Sequence, residues 1–188
     1  MHSISERPAW GLAEAFDFSS VDRLLDVGGG SGVLSIAIAK KWTNVSATIF
    51  DLSVVCDIAR AYVSGAGLTD RIKAQPGDMF QDEWPVGYDA ILLSQILHDW
   101  SETTGKALLG KAYKALPAGG RILVHEKLVH SDQPGPLANA LVNLDMMVWT
   151  EGQQYTETQL VRALDEVGFT DIDCRPTTGY WSAVIGKK

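Results

Sequence analysis

Leu24-Leu25-Asp26-Val27-Gly28-Gly29-Gly30-Ser31-Gly32 is an apolar run that empties into a glycine-rich turn and then into a helical stretch. Glycines accept positive φ and let bare backbone amides approach a ligand, so the turn reads as a small-molecule site. Asp51 closes the next apolar run, about 20 residues further on, where a carboxylate can accept hydrogen bonds from ribose hydroxyls. The ligand implied is a nucleoside. A dinucleotide fingerprint needs Gly or Ala three positions after its second glycine, and Val33 stands there. The spacing is Gly28-x-Gly30-x-Gly32 instead, and taken alone it also fits an ordinary strand-to-helix turn.

Composition narrows the class. At 188 residues and 46% hydrophobic, the chain suits one globular domain with a substantial core. A formal net charge of -7 argues against a nucleic-acid or anionic-membrane surface and for small-molecule chemistry. Cys56 and Cys174 form no Cys-x-x-Cys pair and fit buried thiols in a reducing cytoplasm. No apolar run reaches the roughly 18 to 20 residues of a membrane span, and residues 1–8 lack a signal-peptide core, so a soluble, cytoplasmic protein is expected.

Apolar strands alternate with amphipathic helices, the pattern of a parallel sheet covered on both faces. Strands are expected near 22–27, 46–51, 71–75, 88–94, 120–126, 170–175 and 180–186. Helices fit at about 9–16, 31–41, 53–65, 102–115, 135–149 and 156–167. Gly65 and Gly67 stop one helix, Leu116-Pro117-Ala118-Gly119-Gly120 stops another, and Thr156 is a capping-box candidate for the last. Gln133-Pro134-Gly135-Pro136 reads as a loop. Pro176-Thr177-Thr178-Gly179 joins the last two strands too briefly for a crossover, so they read as an antiparallel hairpin. Leu141, Leu144, Met147 and Val148 recur at helical spacing and are expected to be mostly core.

With its Leu-Asp-Val lead-in, the glycine turn resembles the first motif of S-adenosylmethionine-dependent methyltransferases. Further motifs follow: Phe50-Asp51-Leu52, Gly77-Asp78-Met79-Phe80, Leu97-His98-Asp99-Trp100-Ser101, and Gly119-Gly120-Arg121-Ile122-Leu123-Val124-His125-Glu126. In this order they resemble the O-methyltransferases that include plant caffeate and flavonoid enzymes and bacterial antibiotic-tailoring enzymes. The resemblance runs from about residue 20 to the C-terminus. It implies a class I methyltransferase, Rossmann-like fold: seven strands, mostly parallel with an antiparallel last strand, and helices on both faces. Residues 1–20 would be an N-terminal linker or helix, and 21–188 the methyltransferase domain.

Carried over residue by residue, the resemblance places Gly28, Gly30 and Gly32 under the methionine part of S-adenosylmethionine and Asp51 on its ribose, with Leu52 beside it. Asp78 would accept from the adenine amino group while Met79 and Phe80 pack on the ring, or simply belong to the core. Ser94 stands where plant members carry a lysine facing the cofactor carboxylate. His98 would be the general base, since an imidazole with a pKa near 6.5 can take a phenol or alcohol proton at neutral pH. Glu126 would fix its ring, or be merely solvated, and Asp99 would orient nearby groups or start a helix. Asn143, Met146, Met147 and Trp149 match the region lining the acceptor pocket, as flexible methionines suit a flat aromatic ligand.

Two departures stand out. In Glu151-Gly152-Gln153-Gln154-Tyr155-Thr156, Gln154 replaces a family glutamate, so it could hydrogen-bond the imidazole without lending it negative charge. Only about 20 residues precede the first strand, whereas relatives carry a long helical domain that dimerises and closes over the acceptor. The chain is then a catalytic-domain fragment or a naturally short member, and a homodimer stays open. His125 and His130 lack metal-ligand spacing, and no metal is expected. The expected reaction is methyl transfer from S-adenosylmethionine, leaving S-adenosylhomocysteine, to a hydroxyl of a small aromatic or polyketide-like acceptor. Carbon or nitrogen methylation on the same fold, and a cofactor-binding but inactive protein, are the alternatives.

Overall fold

The computed structural model describes residues 2–133 and 135–188, and of Met147 the backbone alone. Pro134 of the expected loop and the Met147 side chain therefore lie outside the described residues. The elements run α1 (His2–Ala15), β1 (Arg23–Val27), α2 (Val33–Lys41), β2 (Ser46–Asp51), α3 (Ser53–Gly65), β3 (Ile72–Pro76) and β4 (Ala90–Ser94). A 3-10 turn (Leu97–Asp99) leads to α4 (Glu102–Ala115), β5 (Arg121–Glu126), α5 (Leu137–Trp149), α6 (Glu157–Val167), β6 (Thr170–Pro176) and β7 (Ser182–Lys187).

The strands form one seven-stranded sheet in the order β3-β2-β1-β4-β5-β7-β6. The first five are mutually parallel, and β7 runs antiparallel to both β5 and β6. This is the class I methyltransferase fold. Strands buried on both faces must be apolar at consecutive positions. Thus Leu24, Leu92 and Leu123 face one side with Leu12, Phe18, Ile38 and Val63, under α1, α2 and α3. Leu25, Leu93 and Val124 face the other with Leu108, Leu109, Leu160 and Leu164, under α4 and α6. The helix ends follow local chemistry: Ser101 Oγ accepts from Thr104 N to start α4, and Thr156 with Gln159 closes a full capping box on α6.

Three expectations change. The first helix spans residues 2–15 rather than 9–16, with Pro8 inside it, and buries Ala9, Leu12 and Ala13. Proline reads locally as a helix start, but Pro8 is itself buried, and packing outweighs its missing N–H. Gly11 sits so close to the β6–β7 connection that a Cβ would lie 2.7 Å from Thr178 Cβ. In α5, Leu141, Leu144 and Val148 are exposed, at 53%, 58% and 75%, and not core. Helical spacing identifies an apolar face but not the surface that it packs on. Finally, Cys56 is buried as expected while Cys174 is only half-buried, on β6 at the sheet edge.

Parallel order reverses between β1 and β4, which makes their carboxyl ends a topological switch point where ligands of open α/β sheets bind. Leu92, fully buried on β4, and Leu141 on α5 give a direct check of this packing. Leu92→Ala is expected to cost about 2–5 kcal/mol in urea unfolding, whereas Leu141→Ala should stay within about 0.5 kcal/mol. Equal losses would place α5 in the core after all.

Candidate active site

Past Val27 the chain turns through Gly28 (φ +65°) and enters α2 from Gly32 (φ +75°). A Cβ on Gly28 would lie 2.4 Å from Ile96 Cδ1, and one on Gly32 2.4 Å from Ile49 Cδ1. Neither position admits another residue without displacing its neighbour. The turn is fastened to the tip of β2 twice: Gly28 N donates to Phe50 O at 2.8 Å, and Gly30 N donates to Asp51 Oδ2 at 2.9 Å. Asp51 Oδ1 accepts from Leu52 N at 2.7 Å.

Two cavities of about 260 Å³ each adjoin at Gly28. The first is mostly apolar, walled by Phe50, Leu52, Met79, Phe80 and Trp100, with Asp51 and Asp78 on its lining. Phe80 and Trp100 meet edge to face at 4.6 Å. Asp78 Oδ1 accepts from Phe80 N and Gln81 N, and Trp84 Nε1 donates to Met79 O. The second cavity is the more polar of the two: the Gly28–Gly30 backbone, Asp26, Ser94, Gln95 and Asp99 line it together with apolar Val33, Leu34 and Ile96, with His2 and Ser5 of α1 at one side. A slot apolar on its faces with carboxylates at hand, continuous with a more polar chamber, matches an adenosine joined to an amino acid.

Beside the polar chamber lies the acid–base pair. Glu126 ends β5 almost fully buried, and its Oε1 accepts from Ile96 N at 3.1 Å and Leu97 N at 3.2 Å. Its Oε2 takes the His98 Nδ1 hydrogen bond at 2.5 Å, so Glu126 is not a solvated surface acid. His98 Nε2 faces Asp99 Oδ1 at 3.5 Å. Burial alone would lower the His98 pKa, but the charge and hydrogen bond of Glu126, helped by Asp99, hold it above the usual histidine value. Burial likewise raises Asp99 despite the neighbouring imidazole.

Gln154 is buried, and its N donates to Asn143 Oδ1 at 2.6 Å. Its side-chain amide finds no hydrogen-bond partner among the described residues, the imidazole included. The loop before it packs on the 3-10 turn: a Cβ on Gly152 would lie 2.0 Å from His98 O. Met146 is half-buried on α5, and Trp149 is 82% exposed. Neither lines the two cavities.

Sequence reading missed three contributors. Lys111 of α4 gathers the carbonyls of Met79, Phe80 and Asp82 at 3.0, 2.5 and 2.9 Å, clamping the apolar slot's turn from behind. Gln95 holds φ +56° on the chamber wall and donates to Ser5 Oγ at 3.1 Å; such strain persists where the surroundings fix it. Asp26, quoted in the glycine motif but given no role, is buried behind the loop, accepts from Ser35 Oγ at 2.7 Å, and is pushed up to about 7 by burial. Only the apolar lead-in hinted at Asp26, and no sequence signal marks the other two. Among the described residues no three His, Cys, Asp or Glu side chains cluster as a metal site, and no helix is long and apolar enough to cross a membrane.

The family model described as an O-methyltransferase domain matches residues 3–170, so the chain belongs to that family. It is 40% identical over 161 residues to a 3-hydroxy-5-methyl-1-naphthoate 3-O-methyltransferase of Streptomyces sahachiroi, covering 86% of this chain and 47% of that protein. An L-tyrosine C(3)-methyltransferase of Streptomyces lavendulae is 36% identical over 171 residues, 90% of this chain and 47% of that one. Human N-acetylserotonin methyltransferase, solved in complex with SAM, superposes with a TM-score of 0.92 at 32% identity, covering all of this chain and 53% of the human one. The chain thus spans about half the length of the curated relatives it matches.

The Lys111 clamp makes a testable contribution to ligand binding. Lys111→Met keeps the aliphatic stem and removes the ammonium, so it should weaken S-adenosylhomocysteine about fivefold, or ~1 kcal/mol, by calorimetry. An unchanged Kd would mean that the turn holds itself.

Proposed function

We propose that this chain carries the catalytic machinery of an S-adenosylmethionine-dependent O-methyltransferase acting on a hydroxyl of a small aromatic acceptor. The observation that carries the reading is the His98–Glu126 pair set beside a cleft divided into an apolar slot and a more polar chamber. The residues fit the cofactor. Leu52, Met79 and Phe80 offer apolar faces to adenine, and Asp78 Oδ2 has no partner among the described residues and can accept from its amino group. Each carboxylate oxygen has two lone pairs, so Asp51, with one backbone donor on each, keeps acceptors for a ribose diol. Ser94, Gly28 and Gly30 line the chamber assigned to the amino-acid part, and Gly32 joins them on its sequence position alone. When bound, S-adenosylmethionine supplies an electrophilic methyl on a sulfonium.

The chain's own task is to prepare the nucleophile. Neutral His98 donates Nδ1–H to Glu126, which leaves the Nε2 lone pair to take the proton from an acceptor hydroxyl. The imidazolium so formed lies between two carboxylates, Glu126 on Nδ1 and Asp99 on Nε2. That arrangement supplies charge which Gln154 cannot. For the acceptor we assign Asn143, Met146, Trp149 and Gln154. The support is the buried, unpartnered Gln154 amide and the open apolar face of α5. Met147 joins them on its sequence position alone.

The tyrosine C(3)-methylating relative favours a second reading, because removing a phenol proton also makes the adjacent ring carbon nucleophilic. Product mass spectrometry with a phenol panel separates O- from C-methylation, and no turnover by wild type would contradict both. His98→Ala should slow transfer on the order of 10²–10⁴-fold with cofactor affinity nearly intact. Loss of both together would make His98 structural.

The raised His98 pKa also fixes a sign. The base works when neutral, so the rate should climb as pH passes a midpoint above the ordinary 6.5. Glu126→Gln removes the charge that raises that pKa, and the acidic limb of the pH–rate profile should move down. An unmoved limb would mean that His98 is not the titrating base.

A further inference from the structure

β5 carries a second histidine, His125, that plays no part in proton transfer. It is completely buried, and its ring stacks on Trp181 at 4.9 Å. Burial pushes its pKa down to about 3, so the ring is neutral at any pH where the base operates. Both nitrogens nevertheless have hydroxyl partners: Ser94 Oγ lies 3.1 Å from Nδ1, and Thr177 Oγ1 lies 3.1 Å from Nε2. Ser94 lines the polar chamber, while Thr177 belongs to the β6–β7 connection on the far side.

A neutral imidazole has one N–H and one lone pair, so this chain of three groups has only two polarities. With the proton on Nδ1, Thr177 donates to Nε2 and Nδ1–H donates to Ser94. The Ser94 hydrogen is then free to point into the chamber. With the proton on Nε2, Ser94 spends its hydrogen on Nδ1 and shows the chamber lone pairs alone. The chamber wall already holds the Asp99 carboxyl group, which offers acceptors, and the almost fully buried Asp26 adds no free donor. An incoming carboxylate needs donors.

We propose that His125 is a positioning residue for the cofactor: its Nδ1–H tautomer turns the Ser94 hydroxyl into a donor toward the carboxylate of the cofactor's amino-acid part. This rests on the cofactor reading given above. The buried ring does through hydrogen-bond direction what a cationic side chain at position 94 would do through charge. It adds no net charge beside the transferring group.

The test compares two ligands, S-adenosylhomocysteine, which has the carboxylate, and 5′-methylthioadenosine, which lacks the amino-acid part. His125→Leu and Ser94→Ala should each weaken the first about tenfold, the size of one lost hydrogen bond to a charged group, and change the second by less than about twofold. The double variant should be no worse than either single one, since both remove the same contact. His125→Asn, whose amide can replace the Nδ1 donor, should recover most of the affinity. In the wild-type complex with S-adenosylhomocysteine, histidine 15N NMR should show His125 protonated on Nδ1. An Nε2–H tautomer there, equal weakening of both ligands, or additive losses would overturn the proposal while leaving the cofactor reading intact. Failure of wild type to bind either ligand would overturn that reading, and this one with it.

Discussion

The hydrogen bond from Gly30 N to Asp51 Oδ2 fastens the turn after β1 to the tip of β2, and the ligand cleft depends on it. Parallel pairing of β1 with β2 brings the two strand ends level, Val27 opposite Phe50. The glycine turn then has one way to pass over the sheet edge, because Ile96 and Ile49 fill the space beneath Gly28 and Gly32. Asp51 therefore has two duties. It ties down the loop that lines the chamber, and in the function proposed above it keeps lone pairs for the ligand in the slot next door. A carboxylate suits both, since it accepts several hydrogen bonds at once.

The proposed catalytic pair, His98 and Glu126, follows the same economy. Glu126 Oε1 holds the amides of Ile96 and Leu97 and so sets the 3-10 turn, while Oε2 orients the imidazole carried on that turn. One buried acid thus fixes the backbone and the ring. The consecutive residue on β5, His125, points to the other side of the strand and reaches Ser94 on β4. Alternation along a single strand lets β5 reach His98 through Glu126 and Ser94 through His125.

Much of this was legible beforehand, for identifiable reasons. Strands buried on both faces must be apolar runs, so Leu24–Val27 and Ile91–Leu93 announced themselves, and the short Pro176–Gly179 connection gave away the antiparallel end of the sheet. Asp51 stood out as a carboxylate closing an apolar run about 20 residues past the glycines, whereas the role of His98 came with the resemblance of its motif. Tertiary partners were not legible. Lys111 lies 29 to 32 residues along the chain from the carbonyls it gathers, and nothing in its own neighbourhood marks it. The face of α5 misled in the opposite direction, since its spacing is apolar and regular yet Leu144 is 58% exposed. Gln154 was noticed as a departure, but its orphaned amide and the Asn143 contact emerge only in three dimensions.

The central claim is that the loop bound to Asp51 is the cofactor's seat, and calorimetry of Asp51→Ala with S-adenosylhomocysteine tests it most directly. Loss of the tether and of the ribose acceptors together should weaken binding by about 1.5–3 kcal/mol, roughly 10- to 150-fold, with Asp51→Asn retaining part of the affinity through its one remaining acceptor. A folded Asp51→Ala protein that binds S-adenosylhomocysteine as tightly as wild type would contradict the account.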